Sequence, residues 1–136
     1  MEVKIIEDVK VSVKTKLAGL WIVLMFCYAY ADILAHMRAD ILEELLTGTA
    51  GGISITQETL VASAILMVIP ILMISLSLAL KTKANRWINI IVGTVYLAIN
   101  LITMITTGGA WIYYYIFAVV EVVFSALIVG YAWKWE

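Results

Sequence analysis

Residues 87–107 read WINIIVGTVYLAINLITMITT. The stretch is apolar over about 20 residues, which at about 1.5 Å of helical rise per residue crosses the roughly 30 Å hydrocarbon layer of a bilayer. Its polar residues are not scattered. Asn89, Gly93, Tyr96, Asn100, Thr103 and Thr107 follow one another at alternating steps of four and three, which places all six on one helical face. Polar groups are costly toward lipid, so that face is expected to meet protein or water. The segment predicts a membrane-spanning helix with a polar inner side.

Three further apolar runs of similar length occupy residues 17–37, 60–80 and 111–133. Lipid cannot satisfy open backbone groups and four strands cannot close a barrel, so all four runs are expected as helices. The expected fold class is all-α: a polytopic four-transmembrane-helix bundle forming a single domain over residues 1–136. The composition is 64% hydrophobic and only 14% charged, with a mean hydropathy of +1.03. An average soluble domain carries about 25% charged residues, so a soluble globular fold is excluded. Four spans leave no room in 136 residues for a separate catalytic domain. A net charge of −1 gives no support for nucleic-acid binding. Cys27 is the only cysteine, which rules out an intrachain disulfide, a CxxC redox pair and a Cys-based zinc site. The first run is longer than a signal-peptide core and no cleavage site is evident, so it reads as a retained helix.

The connections differ in character. In the outer loop, residues 38–59, ILEELL predicts a short surface helix and TGTAGGIS a flexible turn, with Ser54 and Gln57 as a capping box. The basic string KTKANR joins the second and third spans, and the short TGGA turn makes the last two an antiparallel hairpin. Residues 1–16 fit a helix through Ile5, Val9 and Val13 and a strand through Val9, Val11 and Val13; an amphipathic helix on the cytoplasmic surface is the preferred reading. Lys4, Lys10, Lys14, Lys16, Lys81, Lys83, Arg86 and Lys134 fall on one side of the spans and Arg38 alone on the other. The positive-inside rule then places both termini in the cytoplasm. The outer loop instead carries Asp40, Glu43, Glu44 and Glu58. Trp21, Trp87, Trp111, Trp133 and Trp135, with the Tyr113, Tyr114, Tyr115 cluster, read as interfacial anchors.

Every other span also carries one polar stripe: Tyr28, Asp32 and His36; Ser63, Pro70 and Ser77; Tyr114, Ala118, Glu121 and Ser125. Four such stripes predict a polar interior and exceed what one narrow core needs, so a homo-oligomer is expected besides the lipid bilayer as partner. Glu121 lies about ten residues from either end of its span, near the midplane, where a carboxylate is costly unless protonated or paired. Asn100 is at similar depth, although the hairpin count offsets the two by about five residues, roughly 7 Å of rise. Two uses compete for Glu121: a hydrogen bond tying two helices, and binding of an ion, proton or substrate. Asp32 and His36 are one turn apart, and Asp40 extends their line if the helix continues. That set is a weak alternative metal site, against a preferred reading of no metal. Pro70 removes a backbone hydrogen bond in mid-span and can leave a carbonyl open to a cavity.

Several strings carry a resemblance together: KLAGLWIVLMFCYAYADIL, GGISITQ, ILMVIP, KANRWINIIVG and YAWKW. They resemble an uncharacterised family of small four-span prokaryotic membrane proteins, over about residues 9–135. The resemblance implies the four-span architecture and a prokaryotic cell (inner) membrane, and it implies no activity. Tyr30, Asp32, Gln57, Pro70, Asn85, Arg86, Trp87 and Asn89 stand at positions within that family's motifs, and His36 does not. In size and span number the chain is also similar to the DoxX-type quinone-linked proteins, with no functional residue matched. The expected function is a small binding or transport protein with an intramembrane pocket formed by Glu121, Asn100, Tyr96, Tyr28 and Asp32, for a proton, cation or small amphipathic ligand. No cofactor is predicted. The alternatives are a membrane enzyme acting on a lipid or quinone, and an accessory subunit without a small ligand.

Overall fold

A computed structural model describes residues 9–135. The order of elements is α1 (Val13–Ala35), α2 (Ala39–Leu46), β1 (Thr49–Ala50), β2 (Ile53–Ser54), α3 (Gln57–Ala79), α4 (Thr82–Thr106) and α5 (Ile112–Trp133). Of the five helices among the described residues, α1, α3, α4 and α5 are long and apolar enough to cross a membrane. Their 22 to 25 residues give about 33–38 Å of rise, enough for the hydrocarbon layer with some tilt.

Side-chain caps set several boundaries. Ser12 accepts from the Thr15 amide and starts α1 at Val13, so residues 9–12 precede the helix instead of forming the amphipathic helix expected over residues 1–16. The remainder of that expected segment, residues 1–8, lies outside the described residues. α3 opens on a capping box built from Thr56 and Thr59, not Ser54 and Gln57. Ser54 is held in β2, whose backbone oxygen accepts from Thr59 Oγ1 at 3.1 Å. The TGTAGGIS string forms a two-strand hairpin with Thr49 opposite Ser54. Gly51 and Gly52 turn it with φ of 57° and 75°, values that a side chain disfavours and glycine adopts freely. Most of KTKANR belongs to α4, leaving Leu80 and Lys81 as the joint, because Asn85 turns inward and is satisfied by the α3 end.

α1 packs along both α3 and α5, and α4 packs along α5. At the α4–α5 seam a Cβ on Gly93 would lie 3.0 Å from Ile128 Cγ2 and 3.1 Å from Val129 Cγ2, so glycine permits the close approach. α1 and α4 are bridged by the long side chains of Trp21 and Tyr28. Outward, Ile33, Ile65, Leu72, Ile91, Ile102 and Ile116 each leave half or more of their surface uncovered. An apolar surface of that extent on every long helix is suited to lipid and not to water.

Candidate functional site

The interior holds two polar layers. The first lies toward the end where α1 begins, α3 meets α4 and α5 finishes. Trp21 Nε1 donates to Asn89 Oδ1 at 2.7 Å, and Ser77 Oγ donates to the same oxygen at 3.3 Å. Asn89 Nδ2 donates to Asn85 Oδ1 at 2.7 Å and to the Asn85 backbone oxygen at 3.0 Å. Asn85 Nδ2 closes the circuit on the Ser77 backbone oxygen at 2.6 Å. Trp21, Ser77, Asn85 and Asn89 are all 0% exposed, and they sit among Leu17, Leu24, Met73 and Ile128. A network in which every member finds a partner ties three helices together and leaves no polar group for a ligand. Trp21 is therefore a core residue, whereas Trp87, Trp111 and Trp133 keep more than half their surface exposed, as interfacial anchors do.

The second layer lies nearer the α2 and hairpin end and is hollow. Tyr28 on α1 donates to Asn100 Oδ1 at 3.0 Å. Asn100 on α4 donates through Nδ2 to Ser125 Oγ at 2.9 Å, and Ser125 donates to the Glu121 backbone oxygen at 2.7 Å. This relay binds the backbone of α5 beneath Glu121. The offset counted along the hairpin is visible here: Asn100 reaches the Glu121 backbone oxygen only at 3.5 Å, and among the described residues no hydrogen bond is made by the carboxyl. Glu121 instead borders a cavity of about 220 Å³.

Glu121, Asn100, Tyr96, Tyr28 and Asp32 all border this one cavity, with Thr103 and Tyr114 completing its polar lining. Tyr114 reads in the sequence as part of an aromatic belt. Its hydroxyl turns in to donate to Thr107 Oγ1 at 3.1 Å, which fixes the ring against the cavity. Pro70 contributes through what it lacks. A residue at position 70 would normally donate its amide to the oxygen of Leu66, four residues back, and proline has no such donor. The Tyr96 hydroxyl donates to that freed Leu66 oxygen, and both residues line the cavity. The sequence carries the signal in the i−4 relation of Leu66 to Pro70, but nothing in it selects Tyr96 as the partner.

The alternative set of Asp32, His36 and Asp40 is not assembled. α1 stops at Ala35 with His36 as its cap, so the helical line that would carry Asp40 is broken. His36 Nδ1 lies 2.6 Å from the Asp32 backbone oxygen. Asp40 is gripped by Arg38, through Nε to Oδ1 at 3.1 Å and Nη2 to Oδ2. That pairing holds the Asp40 carboxyl below the usual carboxylate range and raises Arg38, whose guanidinium also sits 4.4 Å from the Trp111 ring centroid. Among the described residues, no group of three or more His, Cys, Asp or Glu is placed to hold a metal ion.

Four long apolar helices enclosing a polar interior are those of a small membrane protein. A family model described as a family of unknown function, DUF6326, matches residues 3–136, and the chain belongs to that family. No curated protein and no solved structure matches it.

Proposed function

We propose that the chain is a small binding or transport protein, a four-helix bundle with both termini cytoplasmic, whose ligand site is the cavity at Glu121. One observation carries this reading: Glu121, near mid-helix, lines a hollow, and its carboxyl makes no hydrogen bond among the described residues. A carboxyl kept only to tie helices together would be expected to close on a donor, as Asn89 does. At about 220 Å³ the cavity is smaller than the roughly 300–1,000 Å³ of pockets for drug-sized ligands. That size favours a proton, a cation or a small amphipathic molecule. The orientation is supported by the basic residues Lys14, Lys81, Lys83, Arg86 and Lys134, which gather at the end remote from the cavity.

The test is proton flux in proteoliposomes that contain a pH-reporting dye. The wild-type protein is expected to dissipate an imposed pH gradient, with flux abolished in Glu121→Gln while its melting temperature is preserved. Undiminished flux in a well-folded Glu121→Gln protein would sink the proposal.

A further inference from the structure

A second hollow, of about 560 Å³, opens between the outer end of α1, α2, the hairpin and the start of α3. Its polar lining includes Asp32, His36, Thr59 and Ser63, and its apolar walls include Leu45 and Ile53. Asp32 borders this cleft and the Glu121 cavity alike. We propose that the cleft is the entrance to the cavity, and that Asp32, standing in the wall common to both, makes the route selective for cations. The inference rests on the reading of the Glu121 cavity as a binding site.

Charge and placement support it together. A carboxyl stands at each end of the route, Asp32 outside and Glu121 inside, and neither hollow is bordered by Lys or Arg among the described residues. The one basic side chain there, His36, has its Nδ1 turned to the Asp32 backbone oxygen at 2.6 Å. The surrounding outer segment adds Glu43, Glu44 and Glu58, while its single Arg38 is engaged by Asp40. A cleft of one sign with apolar walls concentrates counter-ions by about tenfold or more. An anion on the same path meets two carboxyls and no compensating cation. Asp32 is thus assigned as a specificity-determining residue, acting before a ligand reaches Glu121.

Cysteine labelling of the full chain in proteoliposomes tests the route. In a Cys27→Ala background, Ser63→Cys reports on the cleft and Thr103→Cys on the cavity. Trimethylammonium-ethyl and sulfonatoethyl methanethiosulfonates serve as cationic and anionic probes, with rates normalised to a free thiol. Both cysteines are expected to react from the same side of the membrane. Thr103→Cys should react about tenfold or more faster with the cationic probe, and Asp32→Asn should remove most of that preference. Equal normalised rates, a preference untouched by Asp32→Asn, or no reaction from the Ser63 side would overturn the inference. Ala31→Cys, which borders the same cavity, replaces Thr103→Cys if that variant does not fold. If the labelling pattern fails while Glu121→Gln still abolishes flux, only the entrance is wrong; the reverse pair of results overturns only the binding site.

Discussion

The two polar layers use similar residues to opposite ends. Around Asn89, an indole, two asparagines and a serine close on one another with nothing exposed; around Glu121, tyrosines, an asparagine and a serine leave a carboxyl against empty volume. The difference lies in how the bonds are routed. In the closed layer, Trp21 and Ser77 both meet the Asn89 side chain across helices and Asn89 meets Asn85 within α4, with Trp21 filling the space between. In the hollow layer, Ser125 and Asn100 turn to the Glu121 backbone and Tyr96 turns to the oxygen that Pro70 freed, so the donors are consumed before they reach the carboxyl. Polarity inside a membrane helix is therefore no guide to function by itself. What separates scaffold from site is whether the polar groups satisfy one another.

The sharpest way to break this contrast is to exchange the fates of its two centres. Trp21→Ala removes a fully buried ring and one of the two donors to Asn89 Oδ1, and a loss of about 3–5 kcal/mol is expected in reversible unfolding. Glu121→Gln, by comparison, is expected to stay within about 0.5 kcal/mol of wild type, since no side-chain partner is lost. Equal losses in both would erase the distinction. At the seam beside the closed layer, Gly93→Ala drives a methyl to 3.0 Å from Ile128 Cγ2, and about 1–3 kcal/mol of overpacking should appear as a lower melting temperature. A smaller effect is expected on the hollow side. Tyr96→Phe leaves the Leu66 oxygen without its donor, at about 1 kcal/mol, in keeping with modest interhelical bonds in membranes. A loss as large as that of Trp21→Ala would show that the two layers are equally sealed.

The smallest effect concerns the Arg38–Asp40 pair at the α2 end, where Asp40 is exposed. Because the folded carboxyl titrates below its ordinary value near 3.8, its contribution is complete above that value and is lost as pH falls through the lower, folded one. The Arg38 Nε resonance should therefore shift only in acid below the ordinary carboxylate range, and Asp40→Asn should abolish the shift. A shift at the ordinary value would mean that the pair is open in solution.

Much of this contrast was legible in the sequence, to the point where partners must be chosen. Period alone places Asn89, Gly93, Tyr96 and Asn100 on one face, and all four are buried. The same reasoning brings Glu121, Tyr28 and Asp32 toward that face, and the structure sets them around one volume. Period does not say which members of a stripe bond to each other. Asn85 was hidden inside a string whose lysines and arginine read as a joint, because charge marks a membrane boundary whether or not the helix has already begun. Trp21 near a span end has the composition of an anchor, and only the neighbouring Asn89 distinguishes it. The hairpin was legible in Gly51 and Gly52 as a turn, but strands of two residues are too short for alternation to show.

The most direct test of a hollow Glu121 site is infrared difference spectroscopy of the protein in lipid, from about pH 4 to about pH 9, comparing wild type with Glu121→Gln. A carboxyl band that follows the external pH and is missing from Glu121→Gln is the expected result, since a group bordering an open cavity exchanges protons with the outside. A Glu121 band that stays fixed across the whole range would contradict it, and would make this carboxyl part of a sealed interior like that around Asn89.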